Sequence, residues 1–268
     1  MSVLSDRDII DELVRGKILF YPFKKENLQG CVLGLTASDF AYSIEKQVLL
    51  TIETDANSNT RFFEITAGDT VLVFTNECVA LNNYYCGTIH SKVKMVSRGL
   101  GHLGTKVNPG WSGILSIPIQ NVSNRSNRIN VDEVIAYLVF HKLSSRSLDI
   151  VAEHKSGRLN DFPGNVPQQL NEWIHDSKNP WRNGDRKALQ QRLKASSEYQ
   201  EVKKNLDQER ASYQLKTIIK RWAAPIAVSL LLLLYLYRNN KLSNELIIAI
   251  IPVAYAAVSE FTRNERNN

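Results

Sequence analysis

The sequence contains little cysteine. Its 268 residues include three, Cys31, Cys78 and Cys86, and no C-x-x-C pair. An odd number without that spacing argues against a disulfide framework and against a structural zinc site. The N-terminal stretch also lacks the apolar core of a signal peptide. The sequence therefore predicts a protein that folds in a reducing compartment and stays where it is made.

Positive charge is distributed unevenly along the chain. A formal net charge of +6 suits a nucleic-acid surface, an anionic small ligand or an anionic membrane face. Between positions 182 and 221 there are eleven Lys or Arg residues and five acidic residues, so this segment alone supplies the +6. Because the cations precede an apolar C-terminal region, we expect no nucleic-acid partner.

A short helix is predicted at the N-terminus. Ser5 and Asp8 have the spacing of a capping box, and apolar residues recur at helical spacing behind them. Gly16 can end the helix in a left-handed conformation.

Seven short runs rich in Val, Ile and aromatic residues follow this helix and predict β-strands. Since no helical pattern separates them, they indicate a mainly β sandwich or barrel. Turn-rich sequence at 161–167 suggests that a β-domain covers 1–160 and a linker segment 161–183. The predicted strands are 18–20, 48–52, 61–65, 70–74, 87–94, 113–119 and 134–142.

A long basic helix is predicted over 184–221, where Pro is absent and Lys, Glu, Gln, Leu and Arg dominate. Five apolar or aromatic residues with 4-3 spacing suit a coiled-coil stalk, but Glu209 and Lys216 occupy the same register. One solvated helix leaning on the β-domain fits equally well. The five residues are Ala195, Tyr199, Val202, Leu206 and Tyr213.

Two uncharged segments close the chain, sixteen residues at 222–237 and fourteen at 246–259. Helices that are apolar all round leave no polar face for water. They predict a transmembrane helical hairpin at 222–259 and a cytoplasmic tail at 260–268. The lipid bilayer is then a partner, at the inner membrane, with the β-domain in the cytoplasm. Both segments are shorter than the roughly 20 residues of a usual span, so buried helices of a bundle are the alternative.

The most informative stretch is 87–121, which reads as a strand, a Gly-rich loop, the turn NPGWSG and a second strand ending in Asn. It resembles the dCTP deaminase and dUTPase family, where R-S-S-x-x-x-R, a glycine-bearing loop and I-D-P-G-[WYF]-x-G precede such a strand. LSDRDI at 4–9, VLVFTNECVALNNYYCG at 71–87 and IAYLVFHKL at 135–143 are similar to other family segments in the same order. The resemblance covers about 1–145.

This resemblance implies a distorted β-barrel or jelly-roll of the dUTPase-like type, a nucleotide ligand and a homotrimer or higher oligomer. His90 and Met95 stand where the family has phosphate-binding Arg residues, and Asn108 replaces the Asp before the turn. Pro118 replaces the Glu that acts as general base. Because proline has no acid-base group, the resemblance implies a catalytically degenerate domain. We therefore expect a protein that is not an enzyme.

Binding can outlast the loss of catalysis. Cationic residues still line the Gly-rich loop, whose backbone N–H groups could face an anion. An ordinary solvated basic loop is the alternative. No cofactor and no metal are predicted, since no ligand spacing connects His90, His102 and His141. The candidate nucleotide-binding residues are Ser91, Lys92, Lys94, Arg98, Lys106, Asn108 and Trp111.

Together these patterns predict a membrane-anchored nucleotide-sensing effector with an inactive dUTPase-like domain, which disrupts the membrane in antiviral defence. One alternative is a membrane-tethered deaminase or hydrolase that uses a relocated base such as Glu133 or Asp132. The other is a non-catalytic trimeric membrane scaffold.

Overall fold

The computed structural model describes residues 2–102, 104–148 and 156–238. They form two compact units, Met1–Leu206 and Asp207–Asn268. The helices are α1 Asp6–Val14, α2 Val93–Val96, α3 Gln168–Ile174, α4 Arg186–Ala195 and α5 Ser197–Arg238, with 3-10 turns at Lys25–Asn27, Ser156–Asp161 and Pro180–Asn183. The strands are β1 Ser2–Val3, β2 Ile18–Tyr21, β3 Leu28–Gln29, β4 Val32–Ser43, β5 Val48–Leu49, β6 Glu53–Thr54, β7 Arg61–Ile65, β8 Thr70–Leu81, β9 Tyr85–Ser91, β10 Leu100–His102, β11 Lys106–Val107, β12 Ser112–Asn121, β13 Asn127–Asn130 and β14 Val134–Lys142.

Two antiparallel sheets build the first unit. The larger has the strand order β10-β12-β8-β4-β14-β9-β11, with β2 paired to β8 and β1 paired to β14. The smaller has the order β13-β7-β6. Apolar side chains of both sheets join one buried cluster. The prediction of a mainly β fold is confirmed.

Helix α1 begins as its sequence predicts. The Ser5 hydroxyl accepts a hydrogen bond from the Asp8 backbone N–H at 3.2 Å, and the Asp8 carboxylate accepts one from the Ser5 N–H at 3.1 Å. This reciprocal capping box satisfies two N–H groups that a helix end leaves unpaired. Gly16 follows the helix with φ of 70°, the left-handed conformation that glycine adopts without strain.

Strand β4 is the largest element that the predicted runs omit. Leu33, Leu35 and Ala37 alternate with Gly34, Thr36 and Ser38, but Gly34, Ala37 and Asp39 are residue types depleted in strands, so the Val, Ile and aromatic enrichment that marks a strand is weak here. The strand forms because it lies between β8 and β14 and pairs with both. Pairing from both sides overrides its weak local pattern.

Strand β8 changes partners halfway along its length. Its first part pairs with β4 and its last part, from Cys78, pairs with β2. The ladder to β12 also shifts between Ile114 and Ser116, which sets Thr75 to Glu77 out of regular pairing. β4 bulges opposite the same point, between Ala37 and Ala41. The strands around β8 therefore separate at Thr75 to Glu77.

Residues after the last strand pack back onto β8 and β12. The Ser156 hydroxyl accepts a hydrogen bond from the Ile114 N–H at 2.8 Å, which satisfies that amide beside the shifted ladder. The Ser112 hydroxyl donates to the Gly184 carbonyl at 2.6 Å. Gly184 has φ of 87°, and a Cβ there would lie 2.3 Å from the Ser112 carbonyl oxygen. This C-terminal segment, 156–195, is thus part of the first compact unit.

The predicted long helix is divided at Ser196 into α4 and α5. At the start of α5, Tyr199, Val202 and Leu206 are each no more than 6% exposed. Tyr213, two stripe positions beyond Leu206, is 73% exposed. Up to Leu206 the helix therefore buries its apolar face within the first unit, as a helix leaning on the β-domain would.

The transmembrane hairpin requires correction. Within 2–102, 104–148 and 156–238, no helix combines the length and the apolar character that crossing a membrane requires. The first predicted span, 222–237, belongs to α5, and the second, 246–259, lies outside the described residues. Sixteen helical residues extend about 24 Å, less than the roughly 30 Å of a hydrocarbon core. The predictions of two transmembrane helices, a bilayer partner and a location at the inner membrane are wrong.

Asn121, the last residue of β12, connects the two sheets. Its fully buried amide donates hydrogen bonds to the carbonyls of Ile65 at 2.9 Å, Thr66 at 3.1 Å and Arg125 at 2.8 Å. Its Oδ1 accepts from the Ser123 hydroxyl at 2.7 Å. One side chain therefore satisfies groups of β7 and of the loop that leads to β13.

We expect Asn121→Ala to lower the free energy of unfolding by about 3 kcal/mol, because it removes a fully buried amide and its hydrogen bonds to three backbone carbonyls. Urea unfolding measures the change. Gln120→Ala, an exposed position on the same strand, is the matched control, with an expected change below about 0.5 kcal/mol. Equal losses in the two variants would contradict this role of Asn121.

Candidate nucleotide site

The loop between β9 and β12 places Ser91 against a histidine. Ser91 is the last residue of β9, and its hydroxyl lies 2.9 Å from His102 Nδ1. His102 ends β10 and pairs with Ile119 of β12, next to Pro118. Its Nε2 is buried and has no hydrogen-bond partner in the part of the chain that the structure describes. Burial, and to a smaller extent the charge of His90, lower the pKa of His102, which favours the neutral ring.

Two of the predicted cationic residues share one carboxylate. Lys94 Nζ lies 3.7 Å and Arg98 Nη1 3.6 Å from the same oxygen of Glu133. The Glu133 side chain is 12% exposed, so solvent screens these pairs less than it screens fully exposed ones. Arg98 also donates a hydrogen bond to the Arg128 carbonyl. Both cations are therefore held against the protein.

The remaining predicted lysines differ in their environment. Lys92 is half-buried, and its ammonium donates to the Val134 carbonyl at 3.2 Å. Lys106, on β11, has an exposed side chain. Its strand pairs with β9, so Lys106 lies opposite Thr88, three residues before Ser91.

The tight turn before β12 places Trp111 in the core. The Trp111 backbone N–H donates to the Asn108 carbonyl at 3.1 Å, which closes the turn. The indole is 4% exposed, and its Nε1 donates to the Gly113 carbonyl at 3.1 Å. Trp111 therefore anchors the turn, whereas half-buried Asn108 remains accessible to a ligand.

Besides Asn108, three positions that the family resemblance marks as replaced lie in different environments. His90 is exposed, and its Nε2 lies 2.9 Å from the Thr88 hydroxyl. Met95 is 2% exposed, so this position contributes to the core. Half-buried Pro118 lies opposite Leu72 of β8. Neither Met95 nor Pro118 presents a polar group where the family has one.

Neither of the two alternative bases is in a catalytic arrangement. Asp132 accepts a hydrogen bond from the Asn76 amide at 2.8 Å. Glu133 is paired with Lys94 and Arg98. Both carboxylates are therefore bonded to other groups of the protein. Among the residues that the structure describes, no group of three or more His, Cys, Asp or Glu could hold a metal ion.

The sequence patterns do not single out Glu77, a carboxyl group whose pKa lies near neutral pH. Glu77, in the irregular part of β8, is 2% exposed. Burial raises its pKa to about 7, although hydrogen bonds from the Thr36 backbone and hydroxyl, both at 2.8 Å, oppose the rise. A lone acid inside the apolar run at 71–81 is the signal that marks it. Both of its carboxylate oxygens accept a hydrogen bond from Thr36.

Comparison with known proteins places this arrangement in a family. The family model for dCTP deaminase-like proteins matches residues 3–143, slightly more than half of the chain. The chain belongs to the dCTP deaminase-like family. The resemblance stated from the motifs at 4–9, 71–87 and 87–121 is thereby confirmed.

Two curated relatives of this dCTP deaminase-like chain are dUMP-forming dCTP deaminases. The one from Methanopyrus kandleri is 30% identical over 193 residues, which cover 63% of this chain and 96% of the relative. The one from Hydrogenobaculum sp. is 26% identical over 151 residues, covering 53% and 82%. With relatives of this kind and no spanning helix among the described residues, the prediction of a membrane-anchored effector is wrong.

Two solved structures are also similar to this chain. The 2′-deoxycytidine 5′-triphosphate deaminase from Agrobacterium tumefaciens matches with a TM-score of 0.43 and 15% identity, over 52% of this chain and 47% of that chain. The EIAV dUTPase matches with a TM-score of 0.35 and 15% identity, over 49% and 93%. The chain thus spans about half the length of the Agrobacterium protein.

The raised pKa of Glu77 predicts a pH dependence of stability. The native pKa is about 7 against an ordinary value of 4.5, so the folded protein binds the extra proton between these values. Stability from this group is complete below pH 4.5 and is lost as pH rises through 7. We expect Glu77→Gln to remove a decline on the order of 2–3 kcal/mol between about pH 5 and about pH 8.

Urea unfolding of parent and variant at the two pH values measures this difference. Glu45→Gln, at an exposed position, is the control and should follow the parent. Parallel pH profiles for the parent and Glu77→Gln would rule out a raised pKa.

Proposed function

We propose that this protein is a nucleotide-binding member of the dCTP deaminase-like family that has lost the family's deamination chemistry. Pro118 carries the proposal. By the motif resemblance it stands at the general-base position, on a strand that is otherwise intact. A proline side chain can neither accept nor donate a proton, so it cannot activate water.

The carboxylates of Asp132, Glu133 and Glu77 do not replace the missing base. Asp132 is bonded to Asn76, Glu133 is paired with two cations, and Glu77 is buried under Thr36. A general base must lie within hydrogen-bond reach of the proton that it removes. Each of these three groups is already committed to a partner within the protein.

Nucleotide binding is supported by what remains of the loop. The turn at Asn108 is closed, β9 and β12 are in place, and Ser91 keeps its hydroxyl at the end of β9. Lys94 and Arg98 are held by a single carboxylate, and phosphate oxygens would compete for the same two cations. The loop therefore offers positive charge to a phosphate without offering a base.

The homotrimer implied by the resemblance stays a prediction. Three valines around the loop support contact with a second copy, since Val93, Val96 and Val122 are 81%, 51% and 69% exposed. The Val122 N–H donates to the Gly99 carbonyl, which brings the end of β12 next to the loop after α2. Apolar side chains grouped at such exposure are typical of an interface.

One observation favours a second candidate function, a nucleotide hydrolase with a histidine base. His102 is held by Ser91 through Nδ1, and its neutral ring leaves Nε2 without a partner among the described residues. A neutral imidazole next to Pro118 could accept a proton from water. This candidate differs from the first in one measurable property, turnover.

We expect no conversion of dCTP or dUTP by the purified chain above a protein-free control. Chromatography of the nucleotide products over several hours measures this. Turnover that persists in the parent and disappears in His102→Asn would replace the first candidate with the second. Turnover that survives His102→Asn would contradict both.

Glu133 should limit the affinity of the loop for phosphate. Glu133→Gln replaces the carboxylate that holds Lys94 and Arg98 with a neutral amide. We therefore expect dCTP to bind about 3- to 10-fold more tightly at low salt. Calorimetry measures the dissociation constant. Glu45→Gln, which removes an exposed acid elsewhere, is the control for net charge. Equal affinities for dCTP in the parent and Glu133→Gln would show that the loop does not receive the phosphates.

A further inference from the structure

A cavity lies where the strands around β8 separate. Its volume is about 320 Å³. One wall comes from the end of β2, the irregular middle of β8 and the bulge of β4, and the other from the segment 173–192, beyond the family match. None of its residues belongs to the loop between Ser91 and Trp111. The lining residues are Tyr21, Pro22, Ser38, Asp39, Asn76, Trp173, Asn179, Trp181, Arg182 and Arg192.

Arg182 occupies a fixed position in this cavity. Its Cζ lies 5.1 Å from the ring centroid of Trp173 and 5.2 Å from that of Trp181. Trp173 packs on Phe40 with ring centroids 4.7 Å apart, and Trp181 packs edge-on against Tyr21 at 5.0 Å. Cation–π contacts with two anchored indoles orient the guanidinium without using its N–H groups.

The hydrogen-bonding capacity of Arg182 is largely unused. Its Nε is buried, and the described residues provide it with no acceptor. Asp176 Oδ2 lies 3.7 Å from Nη1, beyond hydrogen-bond distance, and already accepts from the Asn179 amide at 2.7 Å. Burial lowers the pKa of Arg182, with only partial compensation by Asp176. A half-buried guanidinium with unpaired donors is costly unless an acceptor arrives.

The rest of the lining adds positive charge and polar groups. Arg192, exposed on α4, supplies a second guanidinium. Asp39 is the one carboxylate in the lining, and it is paired with Arg61 at 2.9 Å. On the opposite wall, the Ser38 hydroxyl and the Asn76 amide oxygen are neutral polar groups, while the Asn76 amide nitrogen is already bonded to Ala37 and Asp132. The cavity therefore combines two cations with a polar, hydrogen-bonding wall.

We infer that this cavity binds a small phosphate-bearing molecule about the size of a mononucleotide, with its phosphate on Arg182 and Arg192. Guanidinium groups bind phosphate through charge-assisted N–H···O bonds, and both Arg182 and Arg192 line the cavity. The volume of about 320 Å³ lies at the lower end of small-ligand pockets. The body of the ligand then faces Ser38, Asp39 and Asn76. This site is separate from the nucleotide loop and does not depend on it.

Tryptophan fluorescence of the full-length chain tests the inference, because a ligand on Arg182 lies beside two indoles. The probes are dCMP and inorganic phosphate, titrated separately. We expect saturable changes in emission, with tighter binding of dCMP if the polar wall contacts the nucleoside. Equal affinity for the two probes assigns the site to free phosphate. The absence of a saturable change with either probe, at concentrations up to about 1 mM, would overturn the proposal.

Matched variants locate the binding. Arg182→Gln should weaken it about 10-fold or more and Arg192→Gln several-fold, since each removes charge-assisted hydrogen bonds. Lys187→Gln, exposed on α4 outside the cavity, should bind as the parent does. Circular dichroism checks that Arg182→Gln folds, and if it does not, Arg192→Gln decides. Undiminished binding in Arg192→Gln and in any folded Arg182→Gln would overturn the proposal.

Discussion

The break in β8 at Thr75 to Glu77 is the constraint on which the rest of the structure depends. Where a buried strand changes partners, backbone groups lose their regular hydrogen bonds and need others. Three consecutive side chains supply them. The Thr75 hydroxyl accepts from the Leu115 N–H at 3.2 Å, the Asn76 amide donates to the Ala37 carbonyl at 3.0 Å, and the Glu77 carboxylate accepts from the Thr36 N–H at 2.8 Å. The sheet can divide here because each separated strand is still bonded to β8.

Different parts of the chain build the two candidate binding regions on either side of this division. The loop between Ser91 and Trp111 belongs to the part of the chain that matches the family. The cavity around Arg182 needs the separated strands of that domain and also the segment that follows it. The segment after the last family strand lies beside the gap in the sheet and completes the lining of the cavity. Catalytic loss at Pro118 leaves this second region unaffected.

The sequence allowed local features to be predicted better than long-range ones. The capping box of α1 and the alternating strands are visible because their determinants lie within a few residues. β4 was missed because its pairing with two neighbours outweighs the interruptions at Gly34 and Ser38. The transmembrane prediction is wrong because sixteen apolar residues form a helix shorter than the hydrocarbon core of a bilayer. In the nucleotide loop, the family motif identifies Ser91. The burial of Trp111 there, and the proximity of Arg182 to Asn76 in the cavity, depend on contacts between residues far apart in the sequence.

The contact between Gly184 and Ser112 reaches beyond this chain. Any side chain at position 184 would collide with the Ser112 carbonyl oxygen, so only glycine lets the C-terminal segment lie against β12. A glycine at this place, ahead of an Asp that caps a short basic helix, is therefore a signature of the docked segment. It offers a way to sort family members by architecture, separating those that carry the added wall from those that end with the β-domain.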